Sequence, residues 1–122
     1  MNLSLEGKIA IVTGGSKGIG RATAFALAEE GVDVAICARG MEDLENTASE
    51  IRSKTGRKVL AVKADMGKLD DITHLVATTV AEFGGVDFLI NNAVNSRAAA
   101  FMDLAVSYTH LRAHETRHDL VC

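Results

Sequence analysis

The sequence is poor in cysteine, has no proline, carries no surplus of positive charge and contains no long apolar run. Its two cysteines, Cys37 inside an apolar segment and Cys122 at the last position, make no disulfide framework, so a reducing, cytoplasmic setting is the expectation. No stretch approaches the roughly 20 apolar residues that a membrane helix needs. Met1–Lys8 lacks the basic and then apolar layout of a secretory signal. A formal net charge of -3 gives no electrostatic reason for nucleic acid or an anionic membrane as a partner. The lack of proline excludes no function by itself. What is present is ordinary for one small globular domain: 122 residues, 48% hydrophobic and 24% charged.

One segment stands out. The apolar run Lys8-Ile9-Ala10-Ile11-Val12 is followed directly by Thr13-Gly14-Gly15-Ser16-Lys17-Gly18-Ile19-Gly20, and then by an alanine-rich stretch. A β-branched run, a glycine-rich turn and a helical stretch are the opening of a nucleotide-binding βαβ unit. The glycines let the backbone turn sharply and come close to a phosphate, where a Cβ would collide. A helix opening at about Ile19 directs its free N–H groups and positive dipole end at that anion. Gly14, Gly18 and Gly20 are the expected diphosphate cradle, with Ser16 and the Ile19 N–H as donors. The plainer reading is a strand-to-helix turn that needs glycine for its backbone angles. The spacing is Gly-x-x-x-Gly-x-Gly, not the commoner Gly-x-Gly-x-x-Gly.

The rest of the chain repeats the alternation. Strands are expected at about Lys8–Val12, Val32–Cys37, Val59–Lys63 and Val86–Asn91. Helices are expected at about Ile19–Glu30, Met41–Lys54 and Leu69–Phe83. The first helix carries Ala22, Ala24, Ala26 and Ala28 and can lie close to a sheet. The second places Leu44, Ala48 and Ile51 at helical spacing, and the third places Leu69, Ile72, Val76, Val80 and Phe83 on one face. Gly31, Gly56 and Gly84 are the expected stops. Short strands alternating with amphipathic helices predict a parallel sheet with right-handed crossovers. The fold class is therefore α/β, a Rossmann-type doubly wound sheet of strand order 3-2-1-4, with its ligand outside the carboxyl ends of the strands.

Cofactor choice follows from the end of the second strand. In such a unit an acidic residue about 20 positions past the glycines takes the adenosine ribose 2′-hydroxyl and favours NAD. Here the chain reads Cys37-Ala38-Arg39, with no acid before Glu42. Arg39 can meet a 2′-phosphate through a forked, charge-assisted contact, and Lys17 adds a second cation, so NADP is expected over NAD. The plainer reading is two solvated cations, with Arg39 paired to Glu42 or Asp43.

Three signatures together resemble the short-chain dehydrogenase/reductase family. They are Thr13-Gly14-x-x-x-Gly18-Ile19-Gly20, Ala64-Asp65-Met66 after the third strand, and Asn91-Asn92-Ala93 after the fourth. The resemblance covers residues 5–104. It implies NAD(P)-dependent oxidation or reduction of an alcohol/carbonyl pair (hydride transfer between a ketone and a secondary alcohol), a homo-oligomeric full-length protein, and basic residues at positions 17 and 39 as a mark of NADP use. It also implies that Asp65 takes the adenine amino group with Met66 packed nearby, and that Asn92 and Ala93 lie along the ribose and nicotinamide. The bland role for Asp65 is a cap on its turn. Asn91 is expected to tie the fourth strand to its neighbours. The family continues with glycine after this alanine, where this chain has Val94. His74, Asp70 and Asp71 read as surface groups of the third helix. The family's serine, tyrosine and lysine have no matching positions here, so no catalytic residue is assigned and the 122-residue chain is expected to be inactive.

The pattern fails after about Leu104. Residues 1–104 read as the N-terminal part of the dinucleotide-binding domain, and 105–122 as a non-native or disordered tail. Val106-Ser107-Tyr108-Thr109-His110-Leu111 resembles a translated transposase-adapter sequence. The tail's spacings invite other readings. His110, His114 and His118 recur every fourth residue, as for zinc on a helix, and Tyr108-x-x-x-Arg112 resembles a Tyr-x-x-x-Lys pair. The second comes too soon after Asn92, and arginine, with a pKa above about 12, is a poor substitute for lysine in a proton relay. No metal site is assigned. The alternative to an oxidoreductase is a non-catalytic dinucleotide-binding module. A P-loop phosphotransferase lacks its Gly-Lys-Ser/Thr here, and a methyltransferase leaves Asn91-Asn92-Ala93 without a purpose.

Overall fold

The computed structural model of the protein describes residues 5–92. The expectations for Ala93, for Val94 and for the tail with Tyr108, Arg112, His110, His114 and His118 lie outside the described residues.

The elements run β1 (Ile9–Thr13), α1 (Gly18–Glu29), β2 (Asp33–Ala38), α2 (Met41–Thr55), β3 (Val59–Lys63), α3 (Leu69–Phe83) and β4 (Phe88–Asn91). The four strands form one sheet in the order β3-β2-β1-β4, and every pair is parallel. Ile9 stands opposite Asp33, Ala10 opposite Phe88, and Val34 opposite Val59. β1 is the hinge of the pattern, because the chain adds β2 and β3 on one side of it and then returns to add β4 on the other. That strand-order reversal leaves a crevice at the carboxyl ends.

The sheet is covered on both faces, which explains why β1 and β2 read as continuous apolar runs. Successive side chains point to opposite faces. Ala10, Val12, Val34 and Ile36 pack with Ala24 and Ala28 of α1 and with Leu44, Ala48 and Ile51 of α2. Ile11, Ala35, Cys37 and Leu89 pack with Ile72, Leu75, Val76 and Val80 of α3. The small-residue stripe of α1 is Gly20, Ala24 and Ala28, all buried, whereas Ala22 and Ala26 face outward.

Several boundaries differ from the sequence expectation. Leu69 is 47% exposed, although its spacing placed it on the buried face. It opens α3 ahead of the part that meets the sheet, and the buried arc is Ile72, Leu75, Val76, Thr79 and Val80. β4 begins at Phe88 rather than Val86 because Asp87 closes the start of the ladder. Its N–H donates to the Ile9 carbonyl at 2.8 Å and its Oδ2 accepts the Ile9 N–H at 2.9 Å. α2 and α3 end on Gly56 and Gly84, both in the left-handed conformation at φ 72° and 96°.

Candidate functional site

The first connection leaves β1 at Thr13 and enters α1 at Gly18. Two close approaches shape it. A Cβ at position 20 would overlap the Gly14 carbonyl oxygen, so the first turn of α1 lies directly on the loop that precedes it. A Cβ at position 15 would stand 2.7 Å from the Ile36 Cβ. Gly15 is thus sterically required, although the motif spacing gave it no weight. Its N–H also donates to the Cys37 carbonyl at 3.1 Å, fastening the loop to the end of β2. The Thr47 hydroxyl of α2 donates to the Ser16 carbonyl at 3.2 Å. Gly18 sits at φ 57°, the left-handed region that glycine enters without penalty.

α1 starts with an electrostatic opening. Its N-cap, Lys17, is extended and makes no side-chain capping bond, and its first turn holds no acidic residue. The first turns of α2 and α3 instead carry Glu42 and Asp43, and Asp70 and Asp71. The exposed N–H groups at the start of α1 keep their positive dipole end for an external anion.

Three strand-to-helix connections converge on a cleft of about 530 Å³. Gly14, Ser16 and Lys17 form one wall, Cys37, Ala38, Arg39, Gly40 and Asp43 a second, and Ala64, Asp65, Met66 and Gly67 a third. Six of the residues singled out from sequence therefore share one cavity: Gly14, Ser16, Lys17, Arg39, Asp65 and Met66. Gly18 and Ile19 lie at the opening of α1, with Ile19 77% exposed, and Gly20 is buried beneath the loop. Asn92 is not among the residues lining the cleft, and its Cβ stands 3.7 Å from where a Gly14 Cβ would be.

The two cations differ. Lys17 Nζ lies 3.5 Å from Asp43 Oδ2, with both side chains largely exposed. Arg39 is exposed and makes no ion pair among the described residues, so the pairing with Glu42 or Asp43 weighed from the sequence is not formed. Asp65 does hold its turn: Oδ1 accepts the Gly67 N–H at 2.8 Å. Asp71 reaches back to accept the Asp65 N–H at 2.8 Å, a role that its place in a charged first turn concealed. At the end of β4 the buried Thr13 hydroxyl donates to Asn91 Oδ1 at 2.8 Å and accepts the Asn92 N–H at 2.8 Å. Asn91 thereby ties β4 to β1, and Thr13 orients the backbone at Asn92.

The Cys37 thiol, on the floor of the cleft, is pushed up from 9.0 to about 12 by burial, against a smaller opposing effect of a hydrogen bond with the Gly14 backbone. It is a neutral packing group at physiological pH, not a nucleophile. Among the described residues no three His, Cys, Asp or Glu side chains gather as a metal site would require. No helix there is long and apolar enough to cross a membrane.

Known proteins share this arrangement. The family model for short chain dehydrogenase matches residues 8–110. General stress protein 39 of Bacillus subtilis is 43% identical over 90 residues, which are 73% of this chain and 31% of that protein. The 3-oxoacyl-acyl-carrier-protein reductase FabG of Staphylococcus epidermidis is 44% identical over 87 residues, 70% of this chain and 35% of that protein. The chain thus spans about a third of the length of these curated relatives. Among solved structures, L-sorbose reductase from Gluconobacter frateurii, complexed with NADPH and L-sorbose, superposes with a TM-score of 0.76 at 30% identity. That match covers 93% of this chain and 48% of that one.

Proposed function

The chain belongs to the short chain dehydrogenase family of oxidoreductases, and on that premise we propose that its cleft holds NADP and serves hydride transfer between a ketone and a secondary alcohol in the whole protein. The observation that carries this reading is the convergence of Gly14, Ser16, Lys17, Arg39, Asp65 and Met66 on one cleft beside an uncapped helix start. The residues fit the dinucleotide: position 20 tolerates no side chain, and the N–H groups of α1 have no acid competing for them.

In this reading the loop from Gly14 to Gly20 takes the diphosphate, with Ser16 and the Ile19 N–H as donors. Lys17 and Arg39 take the 2′-phosphate, Asp65 and Met66 the adenine, and Asn92 and Ala93 the ribose and nicotinamide side. When bound, the cofactor would supply the hydride in its reduced form or accept it in its oxidised form. Support for NADP over NAD comes from Arg39, exposed and without an ion pair among the described residues, and from the absence of any acid between the end of β2 and Glu42. The L-sorbose reductase complex contains NADPH, which points the same way.

The 122-residue chain itself is proposed to bind without turnover. Its single tyrosine, Tyr108, is followed four residues later by Arg112 rather than lysine, and losing a positioned proton donor costs roughly 10²–10⁴ in rate. A cytoplasmic setting, a homo-oligomeric whole protein and a non-native tail from 105 onward belong to the same proposal.

The test is Arg39→Asp. Fluorescence titration of NADPH and NADH should show the preference move from NADPH to NADH, since a carboxylate repels the 2′-phosphate and accepts the 2′-hydroxyl. Unchanged preference for NADPH would contradict the assignment.

A further inference from the structure

We propose that Asp43 is a specificity-determining residue that restrains NADP binding by occupying Lys17. The inference rests on the cofactor reading above and adds a residue to it. Asp43 lines the same cleft as Lys17 and Arg39, and its Oδ2 lies 3.5 Å from Lys17 Nζ. It sits in the first turn of α2, where the helix dipole favours a carboxylate. Lys17 is the N-cap of α1, so the ion pair bridges the openings of two helices across the cleft. A 2′-phosphate seated between Lys17 and Arg39 therefore meets an anion already in contact with one of its two cations.

The charge count sharpens the point. Lys17 and Arg39 bring two positive charges to the cleft, and Asp43 and Asp65 bring two negative ones. Asp65 is engaged with the Gly67 N–H on the third wall, so Asp43 is the carboxylate beside Lys17. NADPH must displace or share Lys17, whereas NADH has no phosphate there and is indifferent to the pair. Lys17 and Asp43 are 79% and 58% exposed, so the pair is worth only a surface ion pair. The expected effect is about two- to fivefold in affinity.

The experiment is fluorescence titration of NADPH and NADH into the full chain and into Asp43→Asn, Asp43→Glu, Lys17→Met and the Lys17→Met/Asp43→Asn double variant, with circular dichroism as the check on folding. Asp43→Asn should tighten NADPH about two- to fivefold and leave NADH unchanged. Asp43→Glu, which keeps the charge, should stay near the parent. In the Lys17→Met background the Asn substitution should give no gain. Equal gains for both cofactors, or a gain that survives loss of Lys17, would overturn the inference, as would weakened NADH binding, which would make Asp43 a ribose ligand. A parent chain that prefers NADH, with Asp43→Asn still improving NADPH alone, would overturn the NADP assignment and leave the role of Asp43 standing. Binding of neither cofactor by the folded parent chain overturns both.

Discussion

At Gly20 there is no room for a second carbon. The atom in the way is the Gly14 carbonyl oxygen, a backbone group that cannot rotate aside as a long side chain could. Gly20→Ala should therefore force the loop open rather than repack a neighbour. The expected outcome is a loss of about 1–3 kcal/mol in urea denaturation, together with weakened NADPH binding. An alanine variant with parental stability and affinity would show that the helix start is not pressed against the loop. The same scale holds the contacts that sequence did not disclose. Thr13 bridges Asn91 and the Asn92 backbone across 78 and 79 positions of sequence. Thr47 reaches Ser16 across 31. Thr13 stands first in the glycine signature and Thr47 in no motif at all, and a threonine at a strand end or in a helix carries no local signal of a distant partner. Gly15 was hidden differently: it stands next to Gly14, and its steric need comes from the approach of Ile36 in a distant strand.

The elements were more legible, because their signals are local. β-Branched runs and helical spacing placed all four strands and three helices within a residue or two, and β3 and α3 to the residue. The misreadings came where tertiary contacts set the limit. Leu69 satisfied the spacing of α3 but opens it ahead of the sheet, and Thr79 is buried although threonine marks no apolar stripe. The Thr79 hydroxyl solves its own burial by donating to the Leu75 carbonyl at 2.8 Å. Helix stops were readable as glycines, and Gly56 shows why. It lies at φ 72°, its N–H donates to the Arg52 carbonyl at 2.9 Å, and an added Cβ would meet nothing within 4 Å. The cost of Gly56→Ala is thus backbone strain alone, about 1–2 kcal/mol. A thermal melt should fall accordingly, and no change would mean that α2 can end without the left-handed turn.

At the scale of the whole molecule, the parallel order β3-β2-β1-β4 brings every strand-to-helix connection to one end of the sheet. That topology, not any single motif, assembles the cleft from segments separated by more than 20 residues, such as Ser16, Arg39 and Asp65. The family and the strand order were readable because three signatures fall at three strand ends in sequence. The ion pair between Lys17 and Asp43 was not, because it depends on how two helix openings face each other. The central claim is that backbone amides at the start of α1 hold the diphosphate of a nicotinamide dinucleotide. Amide chemical shifts of the ¹⁵N-labelled chain, followed while NADPH is added, test it most directly. The account predicts that the largest changes fall on the amides of Ser16 to Gly20, with smaller ones at Arg39 and Asp65. A folded, well-dispersed spectrum in which those amides stay still would contradict it.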